Sequence, residues 1–210
     1  DSRVAFFSFI GSGEIGWMLR SKLSPGTRCA LEHGGAAPVI IDHDADLDDA
    51  LPLLAKGGFY HAGQVCVSVQ KVFVHESRLD EFQNKLVKLA EKLVVGDPTD
   101  EKTEVGPLIQ ENEVDRVHRW VNEAKMAGAK ILTGGKKIGN TCYAPTVILN
   151  PPDEAMVSTH EIFGPVINIY SFKDRLRAIE RANLTPFSFQ AAVFTKSIDT
   201  ALDTSKRINA

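Results

Sequence analysis

The chain has 210 residues and is poor in most of the features that announce a specialised class of protein. Its three cysteines, Cys29, Cys66 and Cys142, follow no repeated spacing. An odd, sparse set argues against a disulfide framework and leaves reduced thiol available for chemistry. Nothing of metal-ligand spacing joins them to the six histidines, so no metal site is expected. Charge of one sign is also missing: 24 basic and 27 acidic residues give a formal net charge of −3, with no long run of either. A balance of that kind recruits neither nucleic acid nor an anionic membrane. No apolar run approaches the roughly 18 residues a membrane helix needs, and no charged-then-apolar leader opens the chain. The expectation is a cytoplasmic protein without membrane partners. There is no internal repeat and no low-complexity stretch. The opening Asp1-Ser2-Arg3-Val4, without methionine, and the end at Ala210 just after an apparent helix read as a piece of a longer polypeptide.

What is present is an ordinary globular composition, 43% hydrophobic and 24% charged, enough for one or two domains with a substantial core. Short apolar runs alternate with amphipathic ones. Strands are expected over Val4 to Ile10, Thr27 to Leu31, Val39 to Ile41, Gln70 to His75, Lys130 to Leu132, Tyr143 to Leu149, Ile167 to Phe172 and Ala191 to Phe194. Helices are expected over Trp17 to Leu23, Asp46 to about Gly57, Ser77 to Val94, about Asn112 to Met126, Asp174 to Ala182 and Asp199 to Arg207, with Asp46 as the N-cap of the second. Strict alternation of this kind predicts an α/β fold with a largely parallel sheet flanked by helices.

Four stretches interrupt the pattern. Phe59 to Ser68 places Cys66 behind a Gly63-Gln64 turn, between a helix and a strand, which suits a presented nucleophile with Gly63 letting backbone and ligand approach; a lone cysteine is otherwise more often a small buried hydrophobe. Gly11-Ser12-Gly13-Glu14-Ile15-Gly16, between a strand and a helix and with Glu32 about twenty residues on, has the form of a dinucleotide-binding turn. The double glycine Gly34-Gly35 lets backbone and ligand crowd the carboxylate of Glu32, which suits a base as well as a ribose ligand. Finally, His160-Glu161-Ile162-Phe163-Gly164-Pro165 sets an acid and an aromatic on one loop. The alternating aspartates from Asp42 to Asp48 fail the calcium-loop pattern, with Leu47 where glycine and Leu53 where glutamate would stand.

Leu31-Glu32-His33-Gly34-Gly35, Gly63-Gln64-Val65-Cys66 and Glu161-Ile162-Phe163-Gly164-Pro165, in that order and at comparable separations, resemble the aldehyde dehydrogenase superfamily. Phe9-Ile10-Gly11-Ser12 and Ala192-Val193-Phe194-Thr195 resemble its Phe-Thr-Gly-Ser turn and a late strand, so the resemblance covers nearly the whole chain. It implies oxidation of a small-molecule aldehyde to a carboxylic acid with NAD or NADP. Cys66 would be the nucleophile and one oxyanion donor, Glu32 the general base, Gly11 and Ser12 the contact to the cofactor pyrophosphate, and Glu161 and Phe163 the contact to the nicotinamide ribose. It also reassigns Gly-x-Gly-x-x-Gly, because the family uses this turn without the standard fingerprint. Two residues depart from the usual pattern, His33 after the glutamate and Ala36 after the glycines. The resemblance divides the chain at residues 1–31, the tail of a cofactor-binding domain, and 32–210, the catalytic domain. Most of the cofactor-binding region, and a strand pair that bridges subunits, lie outside it. The complete protein is expected to be a homo-oligomer, and the 210 residues alone to turn over slowly. Three other readings compete: a coenzyme A-acylating semialdehyde dehydrogenase, which a base at Glu32 disfavours; a cysteine hydrolase or acyltransferase pairing Cys66 with His61; and a non-catalytic domain that keeps the fold.

Overall fold

The computed structural model describes residues 1–185 and 188–210. In chain order the elements are β1 (Phe6–Ile10), α1 (Gly13–Arg20), β2 (Arg28–Glu32), β3 (Val39–Ile41), α2 (Leu47–Phe59), β4 (Lys71–His75), α3 (Leu79–Lys92), α4 (Glu111–Met126), β5 (Lys130–Thr133), β6 (Lys137–Ile138) and β7 (Cys142–Tyr143). They continue with β8 (Thr146–Leu149), α5 (Met156–Thr159), β9 (Val166–Phe172), α6 (Arg175–Ala182), β10 (Ala192–Phe194) and α7 (Ile198–Arg207). Six strands form the central sheet in the order β10-β3-β4-β9-β8-β5, every neighbouring pair parallel except β8 with β5. The α/β reading with a largely parallel sheet therefore holds. β1 and β2 pair in parallel as a separate two-stranded sheet, with Ile10 opposite Glu32.

Both faces of the central strands are covered, which is why their sequences are nearly continuous apolar runs. Alternation sends Val72 and Val74 into the larger core, with Leu51, Leu54 and Phe59 of α2 and Phe82 and Leu86 of α3. Phe73 between them joins Ile40, Tyr170 and Phe172 on the other face, against Ala178 and Ala182 of α6. Asp46 caps α2 as expected, its carboxylate accepting from the backbone N–H groups of Asp48 and Asp49. Among the described residues no helix is long and apolar enough to cross a membrane.

α1 departs from expectation by starting at Gly13 instead of Trp17. Ser12 caps it, with an extended backbone and a side chain that accepts from Ile15 N, so the helix starts there despite the poor helix propensity of Gly13 and Gly16. Gly16 thereby gains a role that the turn reading missed. A Cβ there would lie 2.3 Å from Cε1 of His33, and the buried His33 ring sits 5.9 Å from that of Trp17. The two unusual features, a glycine inside a helix and a histidine after Glu32, fill each other's space.

The topology sets the position of everything that follows. Because β3, β4 and β9 are adjacent and parallel, the segments that enter them, residues 33–38, 60–70 and 157–165, lie side by side at the N-terminal end of these strands. These segments carry Gly34-Gly35, Cys66, Glu161 and Phe163, and the first of them follows directly on Glu32 at the end of β2.

Candidate functional site

Cys66 lies in a tight turn closed by Ser68 N donating to Val65 O at 2.9 Å, and it is half-buried. The chain reaches it from the end of α2 through three consecutive residues in the left-handed region, His61 (φ 50°), Ala62 (φ 55°) and Gly63 (φ 71°). Two of these carry side chains, and each such residue stores strain of order 1–3 kcal/mol that surrounding contacts must offset. Part of the offset comes from Gln64. Its side-chain amide donates to His61 O and Pro107 O, both at 3.2 Å, while its Oε1 accepts from Ile109 N at 2.9 Å. His61 is exposed, its ring lies 5.0 Å from that of Tyr60, and its carbonyl is taken up by Gln64. Among the described residues no hydrogen bond joins His61 to Cys66, which removes the support for the Cys-His reading.

The glycines of the motifs face protein groups, and this corrects two expectations. Gly63 makes room for backbone and not for a ligand: a Cβ there would lie 2.0 Å from Gly164 O. Gly34 and Gly35 crowd a carboxylate, but it is that of Glu161 and not Glu32. Oε1 of Glu161 accepts from Gly35 N at 3.1 Å and would lie 1.6 Å from a Cβ on Gly34. The three motif segments are thus locked to one another, 33–38 to 157–165 at Glu161 and 157–165 to 60–70 at Gly164. Gly11 joins the assembly through its N–H, which donates to Glu32 O at 3.1 Å. The side chain of Glu32, at the end of β2, is exposed.

Glu161 and Phe163 differ sharply in setting. Phe163 is 42% exposed and holds a φ of 49°, an uncommon state for a bulky residue, between the buried Ile162 and Gly164. Burial pushes the Glu161 carboxyl above its ordinary value, opposed by the Gly35 N–H and the nearby Arg116. The folded state therefore keeps this proton in a pH window where the unfolded chain has released it, so stability falls as pH rises through that window. A Glu161→Gln variant, whose amide oxygen can still accept from Gly35, should lack that fall. Unfolding midpoints of the two complete proteins, followed from acid to neutral pH, should diverge with the variant gaining. A difference that is flat with pH would mean that the carboxyl is not shifted.

Groups that the sequence reading passed over hold this loop in place. Gln70 immediately precedes β4 and Lys71 opens it, and both are buried. Lys71 Nζ donates to Ser158 O at 3.2 Å, and burial pulls its pKa down to about 8. Arg116 on α4 donates to Ile162 O at 2.8 Å, pairs with Glu113 at 2.7 Å, and stacks 4.5 Å over the ring of Trp120. The visible signal was two polar residues opening an otherwise apolar buried strand.

A cleft of about 260 Å³ opens between the Ser12-Gly13-Glu14 turn and Glu161, with Trp120 and His160 in its wall. Ser12 and Glu161, both assigned to cofactor by resemblance, line this one space; Gly11 adjoins it in sequence. The N-terminal amides of α1 suit a phosphate and a carboxylate suits a ribose hydroxyl, so the residues fit part of a dinucleotide. Elsewhere among the described residues, the ligand atoms of Asp42, His43 and Asp44 come within 4.8 Å of one another. They are engaged with protein: Asp42 Oδ1 with His43 Nδ1 at 2.9 Å, and Asp44 with Thr195 Oγ1 at 2.8 Å and Lys196 N at 3.1 Å.

The chain is similar to known proteins over nearly its whole length. The chain is 40% identical over 205 residues to 3-sulfolactaldehyde dehydrogenase of Priestia megaterium, covering 98% of this chain and 43% of that protein. It is 39% identical over 207 residues to aldehyde dehydrogenase, cytosolic 1, of Rattus norvegicus, covering 97% and 41% respectively. Among solved structures, glyceraldehyde-3-phosphate dehydrogenase from Methanocaldococcus jannaschii, complexed with NADP, superposes with a TM-score of 0.94 at 36% identity, over 99% of this chain and 45% of that one. The chain thus spans less than half the length of the relatives it matches. With the aldehyde dehydrogenase family profile matching residues 1–210 from end to end, the chain belongs to the aldehyde dehydrogenase family.

Proposed function

We propose that this chain carries the catalytic centre of an NAD(P)-dependent enzyme that oxidises an aldehyde to a carboxylic acid, with residues 1–31 finishing a cofactor-binding domain and 32–210 forming the catalytic one. One observation carries the reading. The segments bearing Gly34-Gly35, Cys66 and Glu161-Phe163 interlock at one end of the central sheet, through the Glu161 carboxylate on Gly35 N and a backbone approach to Gly164 that leaves no room for a Cβ at Gly63, with Glu32 immediately before the first of them. NAD or NADP, when bound, accepts the hydride from the substrate carbon.

This chain's own residues supply the rest. The Cys66 thiolate adds to the aldehyde carbon, and the Cys66 N–H faces the oxygen on which charge collects. Loss of hydride from that carbon leaves an acyl thioester on the Cys66 sulfur. Glu32 then takes a proton from water as the water oxygen attacks the acyl carbon; the C–S bond breaks, the acid departs and the thiolate is restored. Exposure of Glu32 at the end of β2 is compatible with a base that serves water. Gly11, Ser12, Glu161 and Phe163 would hold the cofactor, the first pair at its pyrophosphate and the second at its nicotinamide ribose. The complete enzyme is a homo-oligomer of the cytoplasm in this reading, the location supported by the cytosolic relative.

The test is product analysis. The complete protein, given an aldehyde panel and either cofactor, should form one carboxylic acid per reduced cofactor, unaffected by coenzyme A. An acyl-coenzyme A product would instead identify the acylating reaction, and no cofactor reduction with any aldehyde would overturn the reading.

A further inference from the structure

We propose that Gln70 is the positioning residue that aims Glu161 into the cofactor cleft. The inference rests on the function proposed above and extends it to a residue outside the motifs. Gln70 is 4% exposed and sits four residues beyond Cys66 on the same continuous segment. Among the described residues, all of its side-chain hydrogen bonds go to the backbone of the segment 157–165 that carries Glu161. Its Nε2 donates to His160 O at 2.7 Å and to Val157 O at 3.2 Å, and its Oε1 accepts from Ile162 N at 2.7 Å. The residues immediately before and after Glu161 are therefore clamped by a single amide, which behaves like a short length of partner strand. With both flanks fixed, only the side-chain torsions of Glu161 stay free, and Gly35 N takes the carboxylate at their end.

Neighbouring contacts show that this clamp is distinct from the general anchoring of the loop. Asn168 Nδ2 donates to Val157 O at 2.7 Å and Lys71 Nζ donates to Ser158 O, so the start of the loop is held without Gln70. At His160 O and Ile162 N, the bonds that bracket Glu161, Gln70 is the side chain that makes the contact. Arg116 fixes the Ile162 carbonyl. Removing the Gln70 amide should thus leave the fold and the Cys66 turn in place while freeing the backbone on either side of Glu161.

The experiment compares the complete wild-type protein with Gln70→Met, which keeps length and loses the hydrogen bonds, and with Gln70→Glu, which keeps an acceptor for Ile162 N but turns a carboxylate toward two carbonyls. In Gln70→Met the cofactor KM should rise about tenfold to a hundredfold, while the aldehyde KM and the alkylation rate of Cys66 stay within about twofold of wild type. Amide hydrogen exchange in a peptide spanning residues 160–163 should accelerate in the same variant. Faster exchange with an unmoved cofactor KM would reduce Gln70 to a structural part and overturn the proposal, as would no change in either. If Gln70→Met fails to fold, Gln70→Glu is read by the same two measurements and the same criteria. A wild-type protein that reduces neither cofactor with any aldehyde would fell the functional reading itself, and the assignment of Gln70 with it.

Discussion

Replacing Cys66 by alanine in the complete protein is expected to lower turnover by at least about 10⁴-fold, because the covalent route that splits the oxidation into two steps disappears with the sulfur. Glu32→Gln should behave differently. Removing a general base costs about 10²–10⁴-fold, but the loss should fall on hydrolysis of the thioester and spare its formation. A stopped-flow trace should then show reduced cofactor formed rapidly to about one equivalent per active site, followed by a slow phase. Mass spectrometry of the intact protein should find the acyl group on Cys66 and on neither Cys29 nor Cys142. If the burst vanishes with the slow phase, Glu32 acts on the thiol and not on water. If Cys66→Ala retains turnover, the nucleophile is misassigned.

Gly63→Ala should produce the largest loss of stability among conservative changes near the site. Two costs add there. Forcing alanine into a φ of 71° costs about 1–2 kcal/mol, and the new methyl lies 2.0 Å from Gly164 O and 2.4 Å from Gly164 C, backbone atoms that cannot rotate away. The sum is about 3 kcal/mol, or a fall in Tm of roughly 6–12 °C for a domain of this size. Gly26 is the control. Its φ is 86° with nothing within 4 Å of an added Cβ, so Gly26→Ala reports the conformational cost alone, and the excess at Gly63 measures the close approach of the Cys66 and Phe163 loops. Equal losses at the two positions would mean that the loops are not in contact. Because the clash separates the segments bearing Cys66 and Phe163, activity should drop further than the fraction unfolded explains.

Local chemistry made several parts of this arrangement legible in advance. Asp46 reads as a helix cap because a short side-chain oxygen reaches only the amides two and three residues on, and that is where it bonds. The buried strands are legible because both faces of a parallel sheet are covered, leaving apolar runs such as Val72-Phe73-Val74. α1 was misplaced by four residues since glycine counts against a helix until the Ser12 cap and the His33 ring that fills the space over Gly16 are known. The contacts of Gln64, Gln70 and Arg116 gave no periodic signal. Each is a polar side chain meeting backbone 43 to 92 residues away, and neither composition nor spacing encodes such a partner.

The sequence by itself determined the alternation of strands and helices, the parallel sheet, and the residue types able to act as nucleophile, base and cofactor contact, since these depend on side-chain chemistry and on periods of two to four residues. Only the tertiary structure decided which groups meet. Adjacency of β3, β4 and β9 brings the three loops to one end of the sheet, the carboxylate of Glu161 takes the space that Gly34 leaves open, and Gln70 brackets Glu161 from a position just before β4 that the motifs do not include. The physical reason is that close packing and hydrogen-bond satisfaction act between segments distant in the chain, and their partners exist only once the sheet has aligned them.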